Sequence, residues 1–150
     1  MFNAGTIFYV TPFYFKNGNT ARNKYFIVLY SDGDNLIVAS LPTRTDIIPK
    51  SLVREHGCIN DINFNCYMFE KDQIITKDID WAFDMDTFIY GVQVEDYQIT
   101  RLKFFFEKEN KDYIVIGILT DFEYKSIIDC FSNSTAVKYK HRRYLQSISV

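Results

Sequence analysis

Residues Tyr25–Thr45 read YFIVLYSDGDNLIVASLPTRT, and the fold turns on them. Two apolar runs, Tyr25–Tyr30 and Leu36–Leu41, flank Ser31-Asp32-Gly33-Asp34-Asn35. The runs are rich in Ile, Val, Tyr and Phe, which suit a pleated, half-buried surface. The five residues between them are turn formers, and Gly33 can take φ > 0 without steric cost. The pattern predicts an antiparallel hairpin. Neighbouring strands lie ~4.8 Å apart, so the start of one sits beside the end of the other. Lys24, preceded by Arg22, is therefore expected near Pro42-Thr43-Arg44-Thr45.

Upstream, Thr6–Phe15 (TIFYVTPFYF) reads as a first strand with both faces apolar. Pro12 cannot donate to a ladder and marks a bend or an edge. Downstream, residues 46–65 show no defensible period and read as a long irregular insertion, with a brief helical turn expected at Lys50–Glu55. Tyr67–Phe69 and Gln73–Thr76 around Glu70-Lys71-Asp72 predict a tight hairpin. Asp78–Asp86 is an acidic loop holding the single tryptophan, Trp81, and Thr87–Val94 reads as one strand with Gly91 at a bulge or close backbone approach. Short apolar runs do not separate helix from strand by period alone. Ile99–Phe106 is read as a strand, joined through residues 107–112 to the buried strand Ile114–Leu119. Thr120-Asp121-Phe122-Glu123 is a capping box opening a helix to about Phe131, with Phe122, Ile127, Ile128 and Phe131 as its apolar positions. A second helix is expected over Thr135–Ser147, with Tyr139, Tyr144 and Leu145 inward. The helical C-terminus thus spans about 120–147.

The sum is an α+β chain, mostly β: one domain over residues 1–150, a small barrel or strongly bent sheet with C-terminal helices. At 47% hydrophobic, with 14 Phe and 11 Tyr, the chain is too apolar for disorder. No apolar run reaches the ~18 residues of a membrane span, and the first five residues lack a signal-peptide pattern. The odd set Cys58, Cys66 and Cys130 suits reduced thiols and a cytoplasmic setting. The net charge of −2 is uneven: +2 over residues 1–45, −7 over 46–100 and +3 over 101–150. A broad electrostatic grip on duplex DNA is therefore not expected, and nucleic acid would be held locally.

Ala4-Gly5-Thr6-Ile7-Phe8-Tyr9-Val10, a polar loop, a basic residue, Phe26–Leu29 and a strand ending Leu41-Pro42-Thr43 resemble the PemK/MazF toxin family. Ile116–Thr120 leading into a capped helix is similar to that family's closing segment. The likeness covers roughly residues 4–45 and, more loosely, 87–131. It implies an SH3-like β-barrel with a terminal helix, a homodimer, and a metal-independent endoribonuclease acting on single-stranded RNA. It also implies a partner antitoxin that covers the RNA groove. RNA cleavage through its own 2′-hydroxyl needs a proton acceptor, stabilisation of the phosphorane and an acid for the leaving oxygen. By the resemblance, Thr43 supplies the hydroxyl and Lys24 the cation, with Lys24-Tyr25 standing where the family has Arg-Pro. Arg22 and Arg44 are substitutes for that cation, and Arg44 and Thr45 would contact RNA. No cofactor is expected.

The same residues also admit a plainer reading, in which Arg22, Lys24 and Arg44 are solvated loop charges and Thr43 and Thr45 form turns. A non-catalytic interaction module on the same barrel is the alternative function, with Trp81 and Phe83 among acids as its contact. His56, Cys58 and Cys66 offer soft ligands but no paired CxxC, so no metal site is expected. A His56–Cys58 nucleophile pair would require a regular strand. Lys138, Lys140, His141, Arg142 and Arg143 could touch nucleic acid or form a solvated helix face.

Overall fold

A computed structural model describes residues 3–13, 22–39, 43–105 and 113–148. The predicted hairpin is present as β2 (Arg22–Ser31) and β3 (Asn35–Ala39). Its turn is closed by the Asp32 carboxylate, which accepts the Asp34 and Asn35 N–H groups at 2.9 and 2.7 Å. Gly33 sits there at φ +94°. β1 (Thr6–Phe13) pairs with β2, its register slipping between Val10 and Phe13, around Pro12.

β4 (Gly57–Asp61) and β5 (Phe64–Phe69) form a hairpin inside and beyond the stretch read as irregular. Before it, one turn closes where the Leu52 N–H donates to the Pro49 carbonyl at 3.0 Å. The expected hairpin of Tyr67–Phe69 with Gln73–Thr76 does not form. Glu70–Gln73 makes a turn, but Phe69 pairs with Thr87 of β6 (Thr87–Tyr90) instead. Nor is Thr87–Val94 one strand. A 3₁₀ turn at Gly91–Gln93 carries the chain from β6 into β7 (Val94–Gln98), which belongs to another sheet. Gly91 is a close-approach glycine: a Cβ there would lie 2.1 Å from the Asn65 Oδ1.

Ile99–Phe105 is helix α1, not a strand. The Ile99 N–H donates to the Asp34 carbonyl at 2.9 Å, and Ile99 and Leu102 cover the apolar face formed by Phe8, Val10, Phe26, Val28, Leu36 and Val38. An uncovered apolar sheet face outweighs a weak local preference. β8 (Tyr113–Ile118) then pairs with β1, and α2 (Asp121–Ser132) and α3 (Tyr139–Ile148) follow.

The described strands make two antiparallel sheets, ordered β7-β3-β2-β1-β8 and β4-β5-β6, and not a closed barrel. The main core lies between them, where Ile7, Ile27, Leu29 and Ile37 meet Tyr67, Phe69 and Ile89 under α2 and α3. The fold is therefore α+β, mostly β, with C-terminal helices. Among the described residues no helix is long and apolar enough to cross a membrane.

Helix α2 is fixed to the second sheet at two stations, seven residues apart on the helix. At the first, Glu123 is buried and its carboxylate accepts the Tyr67 hydroxyl at 2.5 Å and meets His56 Nε2 at 2.6 Å. Glu70 N–H donates to His56 Nδ1 at 3.0 Å, which places the imidazole proton on Nε2, facing the carboxylate. The capping box is thus half made. The Thr120 hydroxyl accepts the Glu123 N–H at 3.1 Å, while the Glu123 side chain turns to the sheet instead of back to the cap. At the second station Cys58 and Cys130 form a disulfide, and Asn65 Nδ2 donates to the Cys130 carbonyl at 3.3 Å. This corrects the expectation of reduced thiols. His56 and Cys58, two apart, both reach α2, whereas Cys66 sits opposite Ile59 in the cluster on the sheet's other face. Side-chain alternation decides which two of the three cysteines pair. Disulfides are rare in reducing compartments, so the cysteines no longer argue for the cytoplasm.

Candidate functional site

The corner expected at the end of the hairpin contains a cleft of about 280 Å³ lined by Tyr25, Arg44, Trp81, Phe83, Asp84 and Thr87. Its position follows from strand alternation. In β2, Phe26 and Val28 face α1, while Tyr25, Ile27 and Leu29 face the main core. Tyr25 is the outermost of that second set. Its ring lies 5.6 Å from Trp81 and 5.7 Å from Phe83, edge-on to the latter. Burial raises its phenol pKa first, with Tyr9 and Asp84 adding to the shift and Arg44 opposing it.

The Trp81 segment has no regular structure and is held by side chain and backbone together. The Thr76 hydroxyl donates to the Ile79 carbonyl at 2.5 Å and accepts the Trp81 N–H at 3.1 Å. Ile75 N–H donates to the Trp81 carbonyl and Asp72 N–H to that of Phe83. Trp81 is consequently half-buried, packed on the core with one side open to the cleft.

The opposite wall comes from the segment after β3. Thr43 leaves the first sheet and bridges Phe88 of the second, with N–H···O distances of 2.9 and 2.7 Å. The Thr43 hydroxyl accepts the Thr45 N–H at 3.1 Å, and the Tyr90 hydroxyl donates to the Thr45 carbonyl. These bonds set Arg44 at the mouth of the cleft, where its guanidinium donates to Asp84 at 2.7 Å. The two side chains are 59% and 81% exposed. An ion pair this open contributes ~0–1 kcal/mol and yields readily to a competing anion or cation.

Of the residues singled out from the sequence, Thr43, Arg44 and Thr45 lie on one segment at the cleft. Lys24 does not join Arg44. It pairs with Val10 and precedes Phe26 and Val28 by even steps, which puts it on the α1 side of the sheet, opposite Tyr25. Arg22 lies in β2 opposite Phe13, and only its backbone is described; Leu41 and Pro42 fall outside the described residues. Tyr25 and Asp84 were not singled out. The signal for Tyr25 was available, because period-2 alternation places the neighbour of Lys24 on the other face. His56 and Cys58 are engaged at the α2 seam, and among the described residues no three His, Cys, Asp or Glu side chains converge as a metal set. Phe122, read as apolar packing, is 76% exposed; so are Tyr139 and Tyr144 at 66% and 40%, while His141 is the buried member of its cluster.

No protein-family model, curated protein or solved structure matches the chain.

Proposed function

We propose that this chain binds single-stranded RNA at the Tyr25–Arg44–Trp81 cleft, as a toxin-like protein of the kind the PemK/MazF resemblance implies. The observation that carries the reading is the pairing of two half-buried rings with a weakly held guanidinium at one opening. Aromatic faces stack bases of any sequence, and a guanidinium matches the bidentate geometry of phosphate. A cleft of about 280 Å³ accommodates one planar base beside Trp81. The enzymatic form of the reading is metal-independent cleavage through the RNA 2′-hydroxyl. In that form Thr43 and Arg44 adjoin the substrate, Arg44 stabilising charge on the phosphorane. Lys24, across the sheet, has no part in it. The SH3-like relationship, the homodimer, the antitoxin and the cytoplasmic setting belong to the same proposal.

A second reading is favoured by a specific observation: Asp84 lines the cleft beside Trp81 and Phe83, in a stretch that also holds Asp78, Asp80 and Asp86. Aromatic rings rimmed by acids suit a cationic side chain of a partner protein. That is the non-catalytic interaction module.

The test is anisotropy of a labelled single-stranded RNA oligonucleotide with wild-type protein, Trp81→Ala and Arg44→Ala, followed by a cleavage assay with and without chelator. Binding lost in both variants supports the RNA reading, and chelator-insensitive cleavage lost in Arg44→Ala supports its enzymatic form. RNA binding that neither variant alters, or capture of an arginine-rich peptide without RNA binding, overturns it.

A further inference from the structure

We infer that the outward face of α3 is a second contact for single-stranded RNA, built from Tyr139 and Arg143 with Lys140 and Arg142 at its flanks. The inference rests on the RNA-binding reading and adds a surface distinct from the cleft. His141 and Leu145 are buried, one turn apart, and fix the inward side of the helix. Residues at 100° steps then place Tyr139 and Arg143, four apart, on the opposite side. The structure agrees: Tyr139 is 66% exposed, and Arg143 and Lys140 are exposed.

An exposed tyrosine on a surface helix needs no explanation alone. Here it is the centre of an organised group. The Arg142 and Arg143 guanidiniums lie 5.4 and 5.8 Å from its ring centroid. Arg142 is further held by its bond to the Ser134 carbonyl at 3.1 Å. Lys140 reaches Asp96 at 3.4 Å with 66% of its side chain exposed, a pair weak enough for a phosphate to replace. No acidic residue follows Asp129 in the sequence, so α3 carries no carboxylate side chain of its own, and Asp96 of β7 is the acid that meets it, at Lys140 and His141. An exposed ring with two guanidiniums close to it is an arrangement that can hold a base and its flanking phosphates. The buried His141 sets this display: its Nε2 meets Asp96 at 2.8 Å and ties the helix to β7.

The experiment is a salt titration of RNA binding, read by anisotropy of a labelled single-stranded oligonucleotide. The proteins are wild type, Lys140→Gln/Arg143→Gln, Tyr139→Ala and, for the cleft, Trp81→Ala, each checked for an unchanged circular dichroism spectrum. Single-stranded binding depends on salt with a log–log slope of about −0.7 per phosphate contact. The double glutamine variant is expected to flatten that slope by about 1.4. Tyr139→Ala is expected to weaken binding on the order of tenfold at constant slope. Arg143→Lys, which keeps the charge, should retain the wild-type slope. An unchanged slope in the double variant overturns the inference even where Trp81→Ala abolishes binding. Loss in the α3 variants with no effect of Trp81→Ala leaves the α3 surface standing and removes the cleft reading. No RNA binding by wild-type protein removes both.

Discussion

Removing the Cys58–Cys130 disulfide should cost this protein much of its stability. The two cysteines are 72 residues apart in sequence. In the chain-entropy treatment a cross-link of that span removes about 4 kcal/mol of freedom from the unfolded chain. Domains of this size are stable by ~5–15 kcal/mol, so the loss is a large fraction. The geometry adds to it, because the disulfide joins α2 to the edge strand of the second sheet, beside the apolar packing of Ile127 and Phe131 and the Glu123 contacts. The assay is urea unfolding of wild-type protein with and without a phosphine reductant, beside Cys58→Ser/Cys130→Ala. With a urea slope of ~2 kcal/mol per molar, the wild-type midpoint should fall by about 2 M on reduction. The double variant should start near the lower midpoint and ignore the reductant. Thiol titration in denaturant without reductant should find one thiol, Cys66. Three thiols, or a midpoint that reduction does not move, would refute the pairing.

Other consequences follow from single contacts. Native protein should not react with a thiol reagent at pH 8, since burial pushes the Cys66 thiol up to about 12; rapid labelling of the folded protein would contradict its placement. Gly91→Ala should destabilise by about 1–3 kcal/mol in thermal melts, because its Cβ meets the buried Asn65 amide, itself bonded to the Cys130 carbonyl. Burial, then the bond to Glu123, raises the Tyr67 phenol pKa. A pKa raised on folding gives stability that is complete below the unfolded value of ~10 and lost as pH rises above it. Tyr67→Phe should therefore flatten the alkaline limb of the stability profile, and an unchanged limb would show that Tyr67 ionises freely.

How far the sequence discloses this fold depends on whether each residue's partners are local. The hairpin of β2 and β3 is legible because its turn chemistry and both strands lie within twenty residues. β4 is not, because GCIND is an edge strand with only Ile59 buried, so alternation carries little signal. Thr87–Val94 reads as one strand, and Gly91 marks a close approach within it without announcing the change of sheet. The turn there depends on Asn65, far away in sequence, pressing against Gly91. Ile99–Phe105 has no cap and no length to mark a helix; the apolar face it must cover decides it. Glu123 shows the same competition at one side chain: the capping motif is local, but His56 and Tyr67 offer the carboxylate better partners across the seam. At the site, the segment Thr43–Thr45 was legible, whereas Lys24 was carried to the opposite face by a single step of alternation from Tyr25.

The most direct measurement uses the fact that Trp81 is the chain's only tryptophan. Its fluorescence, followed during titration with single-stranded RNA, reports on the cleft alone. Stacking of a base on the indole should quench the emission saturably, with a midpoint that matches anisotropy and shifts to higher RNA concentration in Arg44→Ala. Emission that stays constant while anisotropy shows RNA bound would place the RNA elsewhere on the molecule, and constant emission with no anisotropy change would remove RNA as the ligand.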